Sequence, residues 1–176
     1  VDNGLSNAEN ALASRDHAPL ADISADSDTG IYPAEITQKE FRLDGRIALC
    51  VATDLGRDSD LSGVLLRIRY TDRSGHAVER RIGGAAFVYS EAAGGYTVRF
   101  DELKASELRS VLTLTLVRNG APISRTVQYS FDAYVESCLA AGADAEFKAL
   151  LECTLRYADS ARAYFTQTAN EQKEEQ

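Results

Sequence analysis

The chain has 176 residues, 44% of them hydrophobic, which fits one domain with a core, and no apolar run nears the eighteen or so residues of a membrane span. Its formal net charge of −8 sits at the ends: residues 1–35 hold seven acids against Arg15, residues 166–176 hold three against Lys173, and residues 36–165 hold 17 charges of each sign. A neutral body without a basic patch argues against nucleic acid as a partner, because that binding rests on neutralising phosphates.

The opening residues Val1-Asp2-Asn3-Gly4 are polar and lack the basic and apolar stretches of a signal peptide. The chain does not begin with Met and is expected to be a piece of something longer. Residues 1–35 mix Asn, Ser, Asp, Ala and Gly with isolated Leu and Ile and show no sustained period. They read as an acidic linker or the remnant of a preceding module.

From Phe41 onward, period-two alternation dominates. Ile47, Leu49 and Val51 alternate with Ala48, Cys50 and Ala52, and Val64, Leu66, Ile68 and Tyr70 share one strand face. The polar run Thr71 to His76 predicts a turn, Ala77 to Ile82 a return strand, and Gly83-Gly84 a break before Ala85 to Ser90. Tyr96 to Phe100 reads as a strand, and Asp101 to Arg109 as one or two helical turns with Asp101 as N-cap and Leu103 inward. Val111 to Arg118 points Leu112, Leu114 and Leu116 inward and Thr113 and Thr115 outward. Asn119-Gly120 fits a type I′ hairpin turn, which needs positive φ at both central positions, and Ile123 to Tyr129 returns. Six to eight short strands with such turns predict an antiparallel Ig-like β-sandwich over residues 36–130.

The period changes after Ser130. Tyr134, Val135, Cys138 and Leu139 share a helical face closed by Gly142, and Asp144 can cap a second helix. Phe147, Leu150, Leu151, Thr154, Ala158, Ala161 and Phe165 then recur at helical spacing, with Glu152, Arg156 and Arg162 pointing away. Such a helix must bury its stripe, so residues 131–166 are expected to be a helical pair docked on one sheet face. Residues 167–176 read as a polar tail.

Catalytic chemistry is sparse. His17 falls in the linker and His76 in a turn, with no ligand at metal spacing. Cys50, Cys138 and Cys153 are an odd count without a Cys-x-x-Cys pair, so they read as small hydrophobes, a Cys138–Cys153 bridge staying open. Gly83-Gly84 and Gly94-Gly95 lack the helix or Lys of a phosphate loop. The pairs Asp101-Glu102 and Asp58/Asp60 lie in polar loops, with nothing apolar to raise one pKa. A loose calcium site at Asp22/Asp26/Asp28 or Asp54/Asp58/Asp60 stays open as an alternative. No catalytic residue, cofactor or metal is predicted. The one binding candidate is an exposed aromatic pair, Tyr32 with Tyr89, which would suit a sugar face.

Two stretches resemble a known family. Val127-Gln128-Tyr129-Ser130-Phe131-Asp132-Ala133-Tyr134, followed by Phe147 to Phe165, resembles a recurrent module of Gram-positive anaerobe surface and secreted proteins. That module reads Tyr-Ser-Val-x-x-Tyr and then a Leu-rich helix ending Met-Leu-x-Tyr-Gly-x-Ala-Ala-Gln-x-Tyr-Phe. Phe41 to Leu49 is similar to its opening strands, so the resemblance spans about residues 37–166. Ala158, Ser160, Arg162 and Thr154 depart from it while keeping the pattern. The resemblance implies a structural motif, a helix packed on a sheet, and gives structural roles to Tyr129, Tyr134, Phe147, Leu151, Tyr157, Ala161, Tyr164 and Phe165. It implies no catalytic residue. The expected function is a non-catalytic accessory or spacer module of an extracellular or cell wall-associated multidomain protein. Its partners would be neighbouring modules of the same polypeptide. The alternative is a module binding a carbohydrate or a host protein.

Overall fold

A computed structural model describes residues 30–174, with side chains to Thr166, and Tyr32–Gln176 makes up one compact unit. Nine strands form two antiparallel sheets. β1 (Ile36–Arg42), β2 (Ala48–Thr53), β6 (Gly95–Phe100) and β5 (Val88–Ser90) make a four-stranded sheet in the order β1-β2-β6-β5. The other sheet runs β4 (Ala77–Gly83), β3 (Val64–Thr71), β7 (Leu112–Arg118), with β8 (Ala121–Pro122) and β9 (Val127–Tyr129) both paired to β7. The chain changes sheets after β2, after β4 and after β6, so the inward residues of both sheets meet in one core. Phe41, Leu49, Val51, Val98 and Phe100 come from the first sheet, and Val64, Leu66, Ile68, Leu112, Leu114 and Leu116 from the second; all are buried. At about 1.5–3 kcal/mol per large buried side chain, this layer is the main source of stability.

Local chemistry sets the turns. Asn119 (φ 51°) and Gly120 (φ 88°) both adopt the left-handed region that the type I′ turn requires. Gly95 starts β6 directly against the Thr53 carbonyl, where any Cβ would collide. Several expectations change. Gly84–Ala86 is a 3-10 turn, so β5 starts only at Val88. Asp101 caps nothing; the helical turn is a single 3-10 turn at Ala105–Glu107, with Leu103 buried before it. Of the return strand expected from Ile123 to Tyr129 only Val127–Tyr129 forms, as β9, while β8 lies just before it; between the two the Ser124 hydroxyl, not a strand partner, accepts the Leu116 N–H at 2.9 Å. Thr115 points outward yet is buried, its hydroxyl 2.9 Å from that of Thr126. The linker expected over residues 1–35 lies outside the described residues up to 29. Its last residues belong to the body: buried Ala34 donates to Ile123 O at 3.0 Å, and Glu35 N–H donates to Asp54 at 2.6 Å.

Two helices follow. α1 (Phe131–Ala140) is capped by Ser130, whose hydroxyl accepts the Ala133 N–H at 3.1 Å. Its first turn joins an aromatic cluster: Phe41 meets Phe131 edge-on at 5.2 Å, stacks on Tyr129 at 5.8 Å and touches Tyr134 at 5.8 Å. α2 (Ala145–Glu174) is capped by Asp144, which accepts the Phe147 N–H at 2.8 Å. It runs on past Gln167, where a polar tail was expected.

α2 docks chiefly on the Ala105–Glu107 turn, not on a sheet face. The outer faces of the described sheets offer no broad apolar surface: one carries Arg67, Arg69, Glu79 and Arg81, the other Glu40, Arg42 and Arg99. The helix is also rotated by roughly a quarter turn from the expected stripe. Leu151, Glu152, Leu155 and Ala158 are buried, whereas Leu150, Tyr157, Tyr164 and Phe165 are exposed and Phe147 and Ala161 half-buried. The cause is Arg109, only 13% exposed, which draws two helices to one point. It donates to Asp132 of α1 at 3.0 Å and to Asp159 of α2 at 3.1 Å. Its Nε also lies 2.7 Å from Asp159, as ionic contact and not an aligned bond. Pulling Asp159 inward carries Glu152, about two turns earlier on the same face, with it.

Candidate functional site

Two surfaces stand out. The first is a groove of about 600 Å³ on the outer face of the four-stranded sheet. Its floor exists because the outward residues of the central strand β2 that line it, Cys50 and Ala52, are small. Register then sets the walls. Glu40 pairs with Cys50 and Cys50 with Arg99, so a carboxylate and a guanidinium face each other across the thiol. Gln38 and Arg42 extend the polar wall, and Val88, Ala92 and Ala93 supply an apolar one.

The charges in the groove are held in place. Arg42 donates to Glu40 at 2.9 Å and Arg99 to Asp44 at 3.2 Å. The bond from Arg99 keeps the Asp44 carboxyl below its usual range. Burial pushes the Cys50 thiol up, against the pull of Arg42. The groove's carboxylate, guanidinium and amide groups can hold a ligand by hydrogen bonds and charge.

The second surface is the exposed side of α2. Leu150 is 46% exposed, Tyr157 62%, Tyr164 64% and Phe165 41%. Tyr164 and Phe165 meet edge to face at 5.3 Å, and the Arg73 guanidinium lies 3.8 Å over the Phe165 ring. Of the residues given structural roles, Tyr129, Tyr134 and Leu151 lie in the packed body. Tyr157, Tyr164 and Phe165 do not.

The aromatic pair expected at Tyr32 and Tyr89 does not form a platform. Tyr89 is half-buried and meets Tyr96 edge to face at 5.4 Å, under the Arg57 guanidinium at 4.8 Å. Arg57 is itself held by Glu91, and Tyr96 donates its hydroxyl proton to Arg57 O at 2.8 Å. Perpendicular rings clamped by a cation present no flat face to a sugar. Tyr32 is half-buried beside the first strand. Tyr70 is buried, with its hydroxyl 3.4 Å from the buried Glu107.

Among the described residues no three metal-ligating side chains converge. Asp54 and Asp60 instead accept backbone N–H groups, from Glu35 and Ser62, and the Asp22/Asp26/Asp28 set lies outside the described residues. Cys50, Cys138 and Cys153 are all free thiols, so the bridge left open between the last two is not made. No described helix is long and apolar enough to cross a membrane. Sequence reasoning missed the groove. Its signal was the run of small residues Ala48, Cys50 and Ala52 at outward positions of a central strand. Comparison with protein-family models, curated proteins and solved structures returned no match.

Proposed function

We propose that this chain is a non-catalytic accessory module that acts as a spacer in a larger extracellular or cell wall-associated protein. The observation that carries it is α2. Its first half is fixed to the body by Leu151, Leu155, Ala158 and the Arg109–Asp159 ion pair, and the helix then continues to Glu174. A strut of 30 residues, about 45 Å at 1.5 Å per residue, sets a direction as well as a distance. The Ig-like character of the sandwich rests on its short antiparallel strands and turns, and the surface location on the resemblance of Val127 to Tyr134 and Phe147 to Phe165 to surface-protein modules. Neighbouring modules of the same polypeptide are the partners this reading implies.

Small-angle scattering of the chain carrying a rigid reporter domain after Gln176 tests the strut. One narrow body-to-reporter separation is expected, broadened by Arg109→Ala. A separation as broad as that given by a Gly-Ser segment in place of residues 160–174 sinks the reading.

The groove favours a second reading, a module that binds a glycan or a host protein. Its mixed walls suit a ligand with both hydroxyl or charged groups and an apolar edge. A glycan-array signal lost on Arg99→Ala supports this reading, and one unchanged by Arg99→Ala and Glu40→Ala removes it.

A further inference from the structure

The exposed side of α2 has an order of its own, independent of the strut reading. Its positions 150, 153, 154, 157, 160, 161 and 164 are Leu, Cys, Thr, Tyr, Ser, Ala and Tyr. None is charged; Glu152, Arg156, Asp159 and Arg162 lie on the flanks or the inner face. Large residues recur every seven positions, at 150, 157 and 164, and small ones fall between them. This is a heptad seam with alternating large and small layers.

We infer that this seam binds a second copy of the chain, with the two α2 helices antiparallel about a two-fold axis. Antiparallel pairing sets Tyr157 of one copy over Ser160 and Ala161 of the other, and Tyr164 over Cys153 and Thr154. Each of the two tyrosines then meets a small layer, which a parallel pair cannot achieve because like layers would coincide. The area fits this occupant. With 150–250 Å² on each aromatic ring, Leu150, Tyr157, Tyr164 and Phe165 leave roughly 400 Å² of apolar surface in water, a patch of the size that is often functional. Two copies contribute about 800 Å², and the small residues between bring the total to about 1,000–1,200 Å², the lower bound for a specific interface. Burial on α2's other side holds the seam outward, on the face opposite Leu155.

Sedimentation equilibrium of the full chain across micromolar to near-millimolar concentration tests the dimer. A reversible dimer is expected, and a monomer throughout overturns the inference. Tyr157→Glu and Ser160→Lys are exposed changes that leave the core alone, so helix content and Tm serve as fold controls. Each is expected to weaken self-association at least tenfold, and a variant that dimerises as the wild type does overturns the seam. An equimolar mixture of the two variants is expected to pair again. The introduced carboxylate of one copy then faces the introduced ammonium of the other in one layer, while the symmetry-related layer stays native. Failure of the mixture to pair overturns the antiparallel arrangement. If the wild-type dimer vanishes when residues 1–29 are removed, that segment makes the contact and the inference falls.

Discussion

Strand β7 and helix α2 carry apolar stripes of similar length and dispose of them differently. β7 lies between β3 on one side and β8 and β9 on the other, and Leu112, Leu114 and Leu116 are completely buried, with Val117 nearly so on its outer side. α2 packs chiefly on one small element, the Ala105–Glu107 turn, and is held by the Arg109–Asp159 ion pair. It buries Leu151, Leu155 and Ala158 and leaves Leu150, Tyr157 and Tyr164 in water. The difference teaches that a stripe's hydrophobicity fixes only that it seeks cover. How much cover it finds depends on how many elements flank it, and on which charges steer it. The sheet edges follow the same logic in reverse: β4, with Glu79, Arg80 and Arg81, and β1, with Gln38, Lys39 and Glu40, are charged, which blunts edge pairing.

Leu114→Ala should show the largest effect. Its side chain faces both sheets with neighbours on every side, so little relaxation can fill the cavity, and a loss of about 3–5 kcal/mol is expected in urea unfolding. Leu151→Ala removes an equally buried side chain at the domain margin, where the helix can shift inward over the Ala105–Glu107 turn that is its chief neighbour. A loss of about 2–3 kcal/mol is expected. Equal losses at the two positions would break the comparison, and a loss under about 1 kcal/mol at Leu151 would show that the helix lies free.

The strand half of this comparison was legible because period two needs only neighbours in the chain. Val64, Leu66, Ile68 and Tyr70 alternate and are buried as alternation requires, and Asn119-Gly120 names its own turn. The helix caps Ser130 and Asp144 are equally local. What stayed hidden depends on distant pairs. The rotation of α2 comes from Arg109, fifty residues from Asp159, and Leu155 reads as a weak core position because buried Glu152 and Asp159 share its face. The groove joins Glu40, Cys50 and Arg99 only through the β1-β2-β6 register. Between β8 and β9 the Ser124 hydroxyl takes the Leu116 N–H in place of a strand partner.

A third contrast is set by pH. Tyr129 and Tyr134 stand against Phe41, and burial pushes both phenols up to about 12; the Cys138 thiol adds to the shift, for Tyr134 through a hydrogen bond. The folded state thus favours the neutral phenols. Their contribution to stability is full below pH 10, where the unfolded phenols begin to ionise, and is lost as pH rises from 10 toward 12. Phenolate absorbance should therefore rise in steps, the late one coinciding with loss of the fold and moved to lower pH by Phe41→Ala. A single step near 10 for all eight tyrosines would mean that this cluster is wet.

Tyr157→Ser sharpens the comparison from its other end. A large aromatic on a buried stripe costs about 3–5 kcal/mol to truncate, but Tyr157 is 62% exposed on the side of α2 away from the Ala105–Glu107 turn. In the dilute monomer only part of its ring is withdrawn from water, so the expected change is within about 0.5 kcal/mol, the range of ordinary surface substitutions. The same substitution at high concentration should lower the midpoint measurably, because binding that favours the folded state adds stability by mass action. A concentration-independent loss above about 2 kcal/mol would place Tyr157 inside the domain core and return the quarter turn of α2 to the orientation its stripe implies. A loss that grows with protein concentration leaves the docked face with Leu151 and Leu155, and assigns the exposed face to a contact between molecules.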